Sequence, residues 1–124
     1  MTVDLSLDRT RFLTGESVSG TITVLGALDA SVEVCLCFVE RTADYSAVPL
    51  ALPSGRLFAR GESPMRGRRF DIDLPSDALP SLSSPYGELY WEVLVVTEER
   101  RAQTLARQRI DVLPRRADEL TWAT

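Results

Sequence analysis

Polar and apolar residues alternate along most of this chain with a period of two, the mark of strands that bury one face. Helical periodicity is weak throughout. Val3, Leu5 and Leu7 alternate with Asp4 and Ser6, so Thr2–Leu7 reads as a first strand. The stretch Arg11 to Glu16 reads as a turn, in which Gly15 can take a positive φ. Ser17–Leu25 follows as a second strand. It sets Val18, Gly20, Ile22 and Val24 on one face, and Ser19, Thr21, Thr23 and Leu25 on the other. A glycine inside such a run marks a bulge or a close backbone approach. Leu28 to Ala30 turns the chain into a third strand, Ser31–Arg41. There Val32, Val34, Leu36 and Phe38 share one face, while Glu33, Cys35, Cys37 and Val39 share the other.

Residues 42–55 contain Pro49, Pro53 and Gly55 and read as a long connection, although Ala47–Leu52 is apolar for a loop. A short fourth strand is expected at Arg56–Arg60 and a fifth at Arg66–Leu74, where Phe70, Ile72 and Leu74 alternate with Arg69, Asp71 and Asp73. Pro75, Pro80 and Pro85 exclude a central strand or a helix interior from the stretch between them. Tyr86–Glu98 is the longest strand, with Leu89, Trp91, Val93 and Val95 on its core face. Glu98-Glu99-Arg100-Arg101 makes a charged hairpin turn. Ala102–Leu113 returns with Ile110 and Val112 inward, and with Arg107, Arg109 and Asp111 outward, until Pro114 ends it. About seven short strands with Gly/Pro turns and no helix predict an all-β fold, a single antiparallel immunoglobulin-like β-sandwich. A small barrel is the alternative. Cys35 and Cys37 share one strand, which excludes the true immunoglobulin subclass with its cysteines in different sheets. The expected domain covers residues 1–114. Residues 115–124 read as a tail whose Leu120 and Trp122 can dock on this domain or on another.

At 124 residues the chain suits one domain. Composition adds more by omission. There is no His, Lys or Asn, and all 14 basic residues are Arg. That removes Ser-His-Asp and Cys-His catalysis, His-bearing zinc sites, Schiff-base lysines, the phosphate-loop lysine and every N-glycosylation sequon. A net charge of −4 disfavours general nucleic-acid binding. The arginines cluster at Arg66/Arg68/Arg69, Arg100/Arg101 and Arg115/Arg116, with acidic residues near each cluster, as expected of solvated charge on strands and turns. Abundant Arg and Ala without Lys or Asn suggest a GC-rich genome and a bacterial source. Cys35 and Cys37 fall on one strand face with Cα atoms about 6.6–6.8 Å apart, the outer limit for a disulfide, so two free thiols are expected. No leader pattern or apolar run of membrane-spanning length is present, and a cytoplasmic location is expected.

Several stretches, in order, resemble the arrestin family. Phe12-Leu13-Thr14-Gly15-Glu16-Ser17-Val18-Ser19-Gly20-Thr21-Ile22-Thr23-Val24 is similar to the family's opening, an aromatic or Pro before Gly-Glu and then Val-x-Gly-x-Val/Ile-x-Val. Val32–Phe38 resembles the strand that follows it. Phe70-Asp71-Ile72-Asp73-Leu74-Pro75 with Leu79-Pro80-Ser81 resembles Phe-x-Phe-x-Leu-Pro…Leu-Pro-Pro-Ser. Gly87-Glu88-Leu89-Tyr90-Trp91-Glu92-Val93 resembles Gly-x-Ile-x-Tyr/Trp-x-Val. Each motif is generic to β proteins. Their order over residues 3–113 carries the resemblance. The family includes arrestins, a related retromer subunit and bacterial sporulation-control proteins. The resemblance implies an adaptor or scaffold without catalysis. Arrestins pair two such sandwiches and this chain has one, so an inter-domain polar core has no second half. The tandem lysines that sense phosphate have no counterpart, and no functional residue carries over by position.

The remaining constellations are modest. Gly15-Glu16-Ser17-Val18-Ser19-Gly20 misses the Gly-x-Ser-x-Gly elbow by one position and lacks a His base. Asp71 and Asp73 share a strand face and could bind a hard cation, but Arg68 and Arg69 beside them point to a balanced solvent face. Arg66, Arg68, Arg107 and Arg109 are better candidates for recognition, since Arg forks grip carboxylate or phosphate. The sharper clue is the second face of two strands. With Trp91, Val93 and Val95 turned inward, Tyr90, Leu94 and Val96 point outward, as do Cys35, Cys37 and Val39. In a two-layer sandwich that side is expected to be wet. Either Ala47–Leu52 folds back over it or another chain covers it. The candidate interaction surface is therefore Tyr90, Leu94, Val96, Val39, Arg107 and Arg109, with sheet edges as a second route to partners. The expected partner is another protein or a second copy, with no nucleic acid, cofactor or metal. The alternative is a small-ligand sandwich for an anion or carbohydrate, using arginines with Tyr90 or Trp91.

Overall fold

Strand alternation of this kind can bury its apolar side only against a second layer, and the chain builds two. The computed structural model describes residues 2–62, 67–98 and 103–114. Within them lie nine strands: β1 (Thr2–Leu7), β2 (Arg11–Leu13), β3 (Ser17–Leu25), β4 (Val32–Thr42), β5 (Ser46–Phe58), β6 (Arg68–Asp73), β7 (Leu82–Ser84), β8 (Gly87–Thr97) and β9 (Thr104–Leu113). A three-stranded sheet has the order β1-β3-β6. A six-stranded sheet has the order β2-β9-β8-β4-β5, and β7 pairs with the start of β8. The core lies between them. Val18, Ile22, Val24, Phe70 and Ile72 face it from the small sheet, and Val34, Leu36, Phe38, Trp91, Val93, Ile110 and Val112 from the large one. Phe38 and Trp91 meet with ring centroids 5.1 Å apart at a tilt of 50°. The indole N–H of Trp91 donates to the Leu79 carbonyl at 2.7 Å, so its burial strands no donor.

Two glycines act as the alternation suggested. Gly15 holds a φ of 85° in the turn between β2 and β3. Gly20 lies under β1, where a Cβ would sit 2.6 Å from the Ser6 carbonyl oxygen.

The expected seven strands become nine because two short segments pair through their backbones. Arg11–Leu13, expected in a turn, lies parallel to Asp111–Leu113. One pairing of the sandwich is therefore not antiparallel. Residues 82–84 pair with residues 87–89 inside the proline-rich connection. The largest correction is β5. The segment expected as a connection, with the short strand after it, is one irregular 13-residue strand along β4. Pro49 and Pro53 are tolerated because β5 is the edge of its sheet. Consequently Ala47–Leu52 does not fold back over the large sheet. Leu50 and Leu52 pair in plane with Phe38 and Leu36. The strand expected at Arg66–Leu74 spans Arg68–Asp73. Arg66, most of the charged turn with Arg100/Arg101, and the tail with Arg115/Arg116, Leu120 and Trp122 lie outside the described residues. Among the described residues no helix is long and apolar enough to cross a membrane.

Candidate interaction surface

The outer face of the large sheet is built by register. Cys35 of β4 lies opposite Leu94 of β8, which lies opposite Arg107 of β9. The next row outward is Cys37, Glu92 and Arg109, followed by Val39 beside Tyr90 and then Arg41 beside Glu88. All six residues of the expected surface thus share one face. Their exposure differs. Val39 and Tyr90 are buried, Leu94 and Val96 are half-buried, and Arg107 and Arg109 are exposed. Cys37, Val39 and Tyr90 form a small apolar cluster of their own, with Cys35 and Leu94 packed against it.

The burial comes from neighbours in the same sheet. The Arg109 guanidinium carbon stacks 3.9 Å from the Tyr90 ring centroid. Its Nη2 donates to Glu88 Oε2 at 2.7 Å, and Arg41 Nε lies 3.6 Å from the other Glu88 oxygen. The hydrogen bond from Arg109 holds the Glu88 carboxyl below the usual carboxylate range. Arg107 enters no ion pair among the described residues. Glu92 is nearly buried within the apolar rows. Both thiols are free. Burial, with the Glu33 carboxylate adding to it, pushes Cys35 up to about 11. Burial and then Glu92 push Cys37 up as well. Such thiols are poor nucleophiles at neutral pH.

Among the described residues, Arg68 and Arg69, also singled out in the sequence, are occupied. Arg68 pairs with Glu62 at 2.9 Å and lies over the Phe58 ring. Asp71 and Asp73 accept hydrogen bonds from Ser19 and Ser17 on the outer face of the small sheet. Among the described residues no group of three or more acidic or Cys side chains is placed to hold a metal. Trp91 is only 1% exposed, and the face of Tyr90 is covered by Arg109. Neither aromatic ring offers an open stacking platform.

No protein-family model matches the chain, and no curated protein matches it. Among solved structures, the crystal structure of Spo0M, a sporulation control protein from Bacillus subtilis, matches with a TM-score of 0.55 at 20% identity. The fold is arrestin-like. The match covers 90% of this chain and 48% of Spo0M, so the chain spans about half the length of that protein. A solution structure named as a late embryogenesis abundant protein aligns over 90% of this chain and 73% of its own at 12% identity. Its TM-score of 0.34 carries no argument.

In the arrestin-like frame, the opening motif Phe12–Val24 runs from β2 through β3, Phe70–Leu74 is β6 with its next residue, and Gly87–Val93 begins β8. The sequence reading missed a group of exposed apolar side chains. Tyr45, Leu50, Leu79, Leu82 and Tyr86 stand at the end of the sandwich where β4 finishes and β8 begins. Tyr86 is 87% exposed and Leu82 is 61% exposed. They sit on segments without alternation. The apolar content of residues 47–52 was the one signal in the sequence that touched this group.

Proposed function

We propose that this chain is a non-enzymatic protein-interaction module, an adaptor or assembly subunit, whose partner docks on the outer face of the large sheet. The observation that carries this reading is the character of that face. A half-buried Leu94 and Val96 continue an apolar cluster of Cys35, Cys37, Val39 and Tyr90, and exposed Arg107 and Arg109 flank it. An apolar centre with an Arg rim suits a protein partner that brings its own apolar residues and carboxylates. The arrestin-like neighbour is a sporulation control protein, and a regulatory role for this chain is in keeping with that. A cytoplasmic setting fits two free thiols.

The test is the light-scattering mass of the protein purified from its own cells, with Leu94→Glu alongside. The expected wild-type particle exceeds the 13.8 kDa of one chain, through a bound protein or a second copy. Leu94→Glu is expected to return it to one chain with its unfolding transition kept. A wild-type particle of one chain, or a Leu94→Glu particle as large as wild type, overturns the reading.

A further inference from the structure

The core face of β4 runs through Val32, Val34, Leu36 and Phe38 and then breaks to Glu40. Past Phe38 the large sheet and residues 75–79 leave a groove of about 270 Å³, lined by Phe38, Trp91, Leu50 and Leu79 together with the carboxylates of Glu40 and Asp77. A second groove of about 280 Å³ shares Glu40 and is lined by Tyr45, Leu82, Tyr86 and Leu89. The two adjoin at Glu40 as a bipartite trough at the end of the sandwich. Five of the eight exposed large apolar side chains among the described residues line it. Such clustering is more than the scattered exposure of an ordinary surface.

The charge of the trough is one-sided. No basic residue lines the first groove. Arg41, in the second, lies beside Glu88. Six described arginines pair with Asp8, Glu16, Glu62, Glu88 and Glu98, but neither Glu40 nor Asp77 enters an ion pair among the described residues. We infer that this trough binds an extended segment of a partner protein that carries large apolar side chains flanked by Lys or Arg. Apolar anchors fill the two grooves, and the basic flanks meet Glu40 and Asp77. A second copy docking end to end sets these carboxylates against their equivalents, which disfavours self-association here. The second groove reaches the outer sheet face at Arg41 and Glu88, but Leu94, Val96 and Arg107 line neither groove.

The experiment selects a phage-displayed library of random dodecapeptides on the immobilised full chain, then measures the enriched peptides by fluorescence anisotropy. The expected consensus pairs one or two large apolar residues with Lys or Arg. Affinity should fall about tenfold in Glu40→Lys/Asp77→Lys and in Leu79→Asp, and should stay unchanged in Leu94→Glu. Binding should also weaken as salt rises. No enrichment, a consensus without basic residues, or affinity that ignores both trough variants overturns the inference. Loss of binding in Leu94→Glu alone overturns it too and moves the peptide to the outer sheet face. Binding that emerges only when Leu120 and Trp122 are changed to Ala assigns the trough to the chain's own end and likewise overturns it.

Discussion

The two outward faces of this sandwich obey opposite rules. On the small sheet, Ser17 and Ser19 bond Asp73 and Asp71, and Arg69 reaches both Thr21 and Asp8. Ser6, Thr21 and Arg69 lie in one cross-strand row, and Asp4 lies opposite Thr23. On the large sheet the same positions carry Cys35, Cys37, Val39, Tyr90 and Leu94. Both faces belong to strands whose core positions recur with a period of two, so that period does not separate them. The residue types on the outward positions do. A strand whose two faces are both apolar is a strand asking for a second cover.

The largest expected effect that sharpens this contrast is a carboxylate placed on each face. Val39→Asp buries an unpaired charge and should destabilise by about 3 kcal/mol in urea unfolding. Thr21→Asp, set beside Arg69, should stay within about 0.5 kcal/mol of wild type. Equal effects would erase the distinction. Next comes Arg109→Ala, which removes the guanidinium over Tyr90 as well as the bond to Glu88, at a cost of about 1 kcal/mol. The matching Arg69→Ala on the small sheet has no ring beneath it and should cost less, chiefly through its bond to Asp8.

The smallest difference is expected in acid. Hydrogen bonds from arginine hold Asp8 on one face and Glu88 on the other below their usual range. A carboxyl whose folded value is lowered adds stability above its unfolded value near about 4, and that stability is lost as pH falls through the folded value. The melting temperature of Arg69→Ala, followed from about pH 7 to about pH 3, should converge on wild type at the acid end, while Arg109→Ala should keep the part of its deficit that comes from Tyr90. A gap that persists in acid assigns the contribution of Arg109 to its contact with Tyr90 rather than to Glu88.

Much of this was legible in the residues themselves. The core faces read for β1, β3, β4, β8 and β9 agree with the structure. β5 escaped because its side chains do not alternate. Most of it is exposed on both sides, and it is a strand because β4 offers it hydrogen bonds. β2 and β7 are three residues each and owe their form to β9 and β8 in the same way. The outer-face residues were visible as a group. The deep burial of Val39 was not, since it depends on cross-strand neighbours such as Tyr90 rather than on Val39 itself. The trough at the sandwich end drew on β5 and the proline-rich connection, where alternation carries no information.

The parallel pairing of β2 with β9 also has a temporal meaning. Arg11 finds its partner only at Asp111, a hundred residues later. On a ribosome, β1 and β3 can meet early, but the far edge of the large sheet stays unformed until the last described strand has emerged. Closing so long a loop is slow and leaves Phe12, a core residue, without its native cover in the meantime. A growing chain of this protein therefore passes through a stage in which Phe12 waits in solvent for β9, and this is when it is most open to chaperones or to misassembly.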